Sequence, residues 1–173
     1  MVHLFHPRNI GTGAIEEPLR RRLPLAVHLM DFWWICPNFL LLRRNGDLCS
    51  GPPEGGAGCI ACIDPNLATQ VEDLGVAADV RAIGSLPTPA GNHRASIVRQ
   101  AHALIGRKEH LMPLLARADR IIAPSRFLAN IYEQHGVPPN KLQHLAYGLD
   151  AERFASMPPR KATAGRPRLD VGY

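Results

Sequence analysis

The chain has 173 residues, 46% of them apolar and 20% charged, with a formal net charge of +5. This suits a single folded domain with a core of its own. No run reaches the about 20 apolar residues of a membrane span, and the N-terminus lacks the basic-then-apolar pattern of a signal peptide, so the expected compartment is the cytoplasm, where thiols stay reduced.

Val2 to His6 reads as a short strand, and Asn9 to Gly13 as turn chemistry. Gly11 and Gly13 follow that strand, but Glu16 stands where a dinucleotide fingerprint needs its third glycine. A plain strand-to-helix turn is the reading. Ala14 to Arg22 is a helix with acids early (Glu16, Glu17) and bases late (Arg20, Arg21, Arg22), matching the helix dipole, and Pro24 ends it. Leu25 to Met30 is nearly continuous apolar, as buried parallel strands are. Strand, helix and strand within about thirty residues make a βαβ unit. Ligands of such sheets bind at the carboxyl ends of the strands, and Asp31 stands at one.

Both tryptophans, Trp33 and Trp34, and all four cysteines follow within thirty residues. Cys36, Cys49, Cys59 and Cys62 combine one Cys-x-x-Cys with two further thiols, the last three in a stretch (43–66) that reads as Gly/Pro-rich loop. Three readings stand open: a tetrathiolate zinc site, a reducible disulfide pair, or free packed thiols. Four thiolates on zinc would make it structural, with no open position for chemistry; an iron–sulfur cluster is the weaker metal alternative. Helical patches follow at Leu67 to Leu74 and Ala77 to Ile83. Asn92 is placed to cap a helix over 93–106, and another runs from Glu109 to Arg117. Arg120 to Ala123 is a strand, Ser125 caps a helix from Arg126 to His135 that Gly136 closes, and Leu142 to Leu145 is a strand again. Beyond Phe154 the chain is basic and of low complexity. The expected class is α/β, a Rossmann-like parallel sheet with flanking helices.

The run Ala118-Asp119-Arg120-Ile121-Ile122-Ala123-Pro124-Ser125, with Phe127-Leu128, Gly136-Val137-Pro138, Lys141, Tyr147-Gly148-Leu149-Asp150 and Phe154, resembles the retaining glycosyltransferases often called family 4. There it closes the N-terminal Rossmann-like domain of a GT-B fold. A branch of that group is similar to Asp31-Phe32-Trp33, Cys36-Pro37, Leu40 to Arg44, Cys49-Ser50-Gly51-Pro52 and Cys59-Ile60-Ala61-Cys62. The resemblance covers about residues 2 to 154. It implies a parent enzyme that moves a sugar from a nucleotide-sugar donor to an acceptor glycan or lipid. The first domain chooses the acceptor and the second holds the donor, and no metal takes part in the chemistry. On this reading residues 1–154 are a partial N-terminal domain with a Cys-rich loop at 36–62. Residues 155–173 are a basic linker and the start of a C-terminal domain, and the chain alone is an inactive fragment. One departure is internal: many members carry histidine immediately before the acid, where Met30 stands here, and its role is carried over neither to Met30 nor to His28.

Each candidate has two readings. Asp31 contacts the acceptor or transferred sugar, or caps the following turn; Trp33 stacks on a sugar, or is core; Ser125 orients a phosphate, or is a plain N-cap. The arginine clusters at 20–22, 43–44 and 160–168 are solvated surface, or touch the inner face of an anionic membrane. A rival from another class is a small zinc-binding module using its basic residues on nucleic acid. The βαβ pattern and the lack of interleaved aromatic and basic residues argue against it, and no nucleic-acid partner is expected.

Overall fold

Four parallel strands lie side by side in chain order in the computed structural model, which describes residues 1–77, 93–148 and 150–155. They are β1 (Val2–Leu4), β2 (Leu25–His28), β3 (Arg120–Ala123) and β4 (Leu142–His144). The register sets Leu4 beside Val27, Val27 beside Ile121 and Ile121 beside Leu142. The α/β class and the parallel sheet are as the residue pattern predicts. Among the described strands the order never reverses, so their carboxyl ends form one continuous edge.

Side chains alternate across a strand, and here they sort cleanly. Leu4, Leu25, Val27, Leu29, Ile121 and Ala123 enter one core. They meet Ile15 from helix α1 (Gly13–Arg20), Leu111 and Leu115 from α5 (Arg107–Ala116), and Leu128 and Tyr132 from α6 (Arg126–Gln134). The opposite face carries His3, Phe5, His28, Met30 and Tyr147, of which Phe5, Met30 and Tyr147 are exposed. Trp34, 2% exposed, lies in the core.

Local chemistry sets the ends of these elements. Ser125 Oγ accepts from the Leu128 N–H at 3.1 Å, capping α6, and Gly136 leaves that helix at φ 96°. The strands end sooner than the apolar runs suggest: β2 stops at His28 rather than Met30, because the Asp31 carboxylate takes the Trp33 N–H at 2.8 Å and turns the chain.

The stretch 43–66 is a correction. It is not loop throughout. Leu42 and Leu48 pair as an antiparallel bridge around Asn45-Gly46, with Gly46 at φ 88°. A tight turn at Pro53–Gly56 then leads into helix α2 (Ala57–Ile63). Asp64 caps α3 (Pro65–Asp73) through the Leu67 N–H at 3.1 Å. With α4 (His93–Ile105), these helices bury Ile60, Leu67, Val71, Val76, Ile97, Val98 and Ala101 in a second core beside the sheet. A short helix, α7 (Ala151–Ala155), follows the Tyr147 loop. Most of the Ala77–Ile83 patch, the Asn92 cap and the basic segment after residue 155 lie outside the described residues. Among the described residues no helix is long and apolar enough to cross a membrane.

Candidate functional site at the carboxyl edge of the sheet

Asp31 follows β2 and His6 follows β1, so adjacent parallel strands deliver both to the same edge. His6 Nε2 lies 3.0 Å from Asp31 Oδ2. The Arg8 main-chain N–H donates to His6 Nδ1 at 3.0 Å. That nitrogen is therefore the acceptor, and Nε2 carries the proton given to Asp31. Both ring nitrogens are engaged, so His6 orients the carboxylate rather than offering a free base. Asp31 Oδ1 is held by the Trp33 N–H. An ionised carboxylate has about four acceptor positions, so the half-buried Asp31 keeps acceptor capacity for hydroxyl groups of a ligand. Both readings of Asp31 are thus compatible: its turn-capping bond is present and its edge position is open.

The structure brings in two residues that sequence reasoning missed. A histidine does reach the acid, from the end of β1 rather than from position 30. The available signal was positional: like Asp31, His6 stands at the carboxyl end of a short apolar run. The second is Arg107, at the first turn of α5. Its guanidinium lies 4.5 Å above the Trp33 ring, and its Nη1 is buried without a hydrogen-bond partner. Burial pulls its pKa below the ordinary arginine value, while the surrounding Cys36, Tyr132, Cys59 and Asp31 act the other way. Trp33 is edge-on to His6 at 6.0 Å and to Trp34 at 5.4 Å. Trp33 and Arg107 line a cleft of about 770 Å³ with Gly11, Thr12, Gln100 and His110, between the sheet core and the second helical core. An indole face, a cation and a nearby carboxylate are the groups that bind a polyhydroxylated ligand: apolar area for a ring and charged partners for hydroxyls.

Ser125 stands at the same edge after β3, where its hydroxyl serves the N-cap. Further along the edge His28 is buried in an aromatic stack with Phe5 (5.2 Å), Tyr147 (5.6 Å) and His3 (5.9 Å). Neither of its ring nitrogens has a partner. Burial, then the neighbouring His3, push its pKa below the ordinary imidazole value.

The four cysteines converge beside this cleft. Cys36, Cys49, Cys59 and Cys62 all line one cavity of about 290 Å³, with Arg43 and Arg44 at its wall, and none is in a disulfide. Cys49 Sγ is turned to the Gly51 carbonyl (2.9 Å) and Cys62 Sγ to that of Leu42 (3.9 Å). Among the described residues no three His, Cys, Asp or Glu side chains stand as a ready-made metal site. Cys59 is the most enclosed; burial, then the other three thiols, push its pKa up to about 11, with Arg107 opposing.

Set against known proteins, the chain matches no family model, no curated protein and no solved structure.

Proposed function

We propose that this chain forms the acceptor-facing part of a retaining sugar transferase, with the carboxyl edge of the sheet as the acceptor cleft. The observation that carries the reading is the Asp31 carboxylate, fixed by His6 and the Trp33 N–H at the ends of adjacent parallel strands. The resemblance of the residues around Asp31 and around Ala118 to Asp150 to family 4 glycosyltransferases supports it independently.

In this reading Asp31 accepts a hydrogen bond from the acceptor hydroxyl and fixes the attacking oxygen by orientation. His6 is a positioning residue that sets the carboxylate plane. Trp33 supplies indole surface against which a sugar ring stacks, and Arg107, whose guanidinium lies over that indole, lines the same cleft. The donor nucleotide-sugar is held by a second domain of the parent enzyme.

Ligand-observed saturation-transfer NMR with mono- and oligosaccharide acceptors tests this. Contacts are expected for the wild type and lost in Asp31→Asn. If no saccharide shows Asp31-dependent contact, the acceptor reading falls.

A further inference from the structure

The cysteine set is the feature that sugar transfer leaves unused. Its members come from three separate segments: Cys36 after the tryptophan turn, Cys49 after the Leu42–Leu48 hairpin, and Cys59 and Cys62 one turn apart on α2. A buried cysteine used as a small apolar filler needs no other cysteine near it. Here all four line the same small cavity, and all four are free.

Arg107 is the second, independent observation. A guanidinium nitrogen buried without an acceptor is costly, more so than a neutral donor. Arg107 Nη1 is in that state, and Arg107 lies within electrostatic reach of Cys36 and Cys59. Arg43 and Arg44 line the same cavity. Four soft ligands thus share a cavity with two arginines, and a third arginine nearby has a donor that lacks an acceptor. A dianionic metal–thiolate group would supply both the missing acceptor and the balancing charge.

We propose that Cys36, Cys49, Cys59 and Cys62 bind one soft divalent ion of the zinc type as a closed tetrathiolate centre, and that Arg107 donates Nη1–H to its sulfurs. Four thiols release four protons, and the ion with four thiolates carries a net charge of −2, in a cavity that Arg43 and Arg44 line. With all four positions taken by sulfur the centre is structural. The sulfurs now turned to the Gly51 and Leu42 carbonyls leave those bonds to close on the ion. Such coupling of local closure to binding is ordinary for structural metal sites. The centre would clamp the hairpin and α2 to the tryptophan turn behind the cleft. It stands or falls apart from the acceptor reading.

The test uses the full chain. Elemental analysis of the purified protein should find about one zinc per chain, reduced by each Cys→Ser substitution. Cobalt(II) added to the metal-free, reduced chain should give thiolate charge-transfer and tetrahedral ligand-field bands. These should saturate at one equivalent, bleach with zinc, and protect all four thiols from alkylation. Arg107→Gln should weaken zinc binding by about 10–100-fold while keeping the cobalt bands, as loss of an outer-shell partner does; Arg107→Lys should weaken it less. Unchanged affinity in Arg107→Gln would overturn the arginine's part. Absence of cobalt bands with all thiols freely alkylated would overturn the centre, as would a disulfide in the protein purified under reducing conditions. Acid-labile sulfide in the purified protein would replace the single ion with an iron–sulfur cluster and overturn the proposal as stated. Loss of metal with saccharide binding intact separates this centre from the acceptor cleft.

Discussion

The hydroxyl of Tyr132, a fully buried side chain on α6, donates to the main-chain carbonyl of Asp31 at 2.8 Å, across 101 residues of sequence. This bond fixes the backbone from which the Asp31 carboxylate projects. Burial first, and the Asp31 charge with it, hold the phenol's pKa well above the ordinary tyrosine value, so it stays a donor throughout the working range. Tyr132→Phe should cost about 1–3 kcal/mol, the range for a buried acceptor left unmade. Urea denaturation checks this. A loss indistinguishable from zero would mean that the Asp31 carbonyl finds another donor.

Asp31→Asn keeps shape and removes charge. Hydrogen bonds to charged groups are worth about 1.5–3 kcal/mol, so saccharide affinity should fall by about 10–100-fold with a native circular dichroism spectrum. His6→Ala should weaken binding less, because the Trp33 N–H still holds Oδ1. Titration by ligand-observed NMR compares the two. A larger effect from His6→Ala than from Asp31→Asn would make His6 the contacting group.

Gly56 joins the tight turn to α2 at φ 99°, and a Cβ there would sit 2.5 Å from the Ile105 carbonyl oxygen. Gly55 shares the left-handed conformation (φ 64°) but faces open space. Gly55→Ala should cost about 1–2 kcal/mol from backbone strain alone. Gly56→Ala should cost more, about 2–4 kcal/mol, because α2 must move off α4. Equal midpoints in chemical denaturation would show that the close approach of Gly56 to Ile105 is not needed.

Acid should destabilise the fold through His28 and His135. Burial lowers both imidazole pKa values, aided by His3 and by Lys108 respectively, while the Ser50 main chain partly opposes the shift at His135. Above the ordinary imidazole pKa of about 6.5 neither folded nor unfolded chain is protonated there, and the contribution is nil. As the pH falls below that value the unfolded chain takes up protons that the folded chain refuses, so stability declines toward each folded-state pKa. His28→Phe keeps an aromatic ring between Phe5 and Tyr147 and removes one titrating group. Thermal melts from pH 7.5 to 5 should show a shallower decline in this variant; an unchanged slope would clear His28 of the effect.

Much of the fold could be read from local pattern. The strand Arg120–Ala123 and the helix that Ser125 caps and Gly136 closes fall where apolar runs and cap residues place them, because these features answer to a few neighbouring residues. The Leu42–Leu48 hairpin was legible too, in Asn45-Gly46, but glycine and proline around it give a loop-like composition that also conceals α2. Cap and turn chemistry, the apolar runs and the place of Asp31 at the carboxyl end of one of them were all set by sequence alone. Tertiary structure alone decided which groups meet. His6 reaches Asp31 because β1 lies parallel beside β2, Tyr132 reaches the same residue from α6, and Arg107 comes to lie over the Trp33 ring. No local pattern encodes such meetings: each depends on strand order and helix packing, which are settled by burying one shared core rather than by the residues that end up in contact.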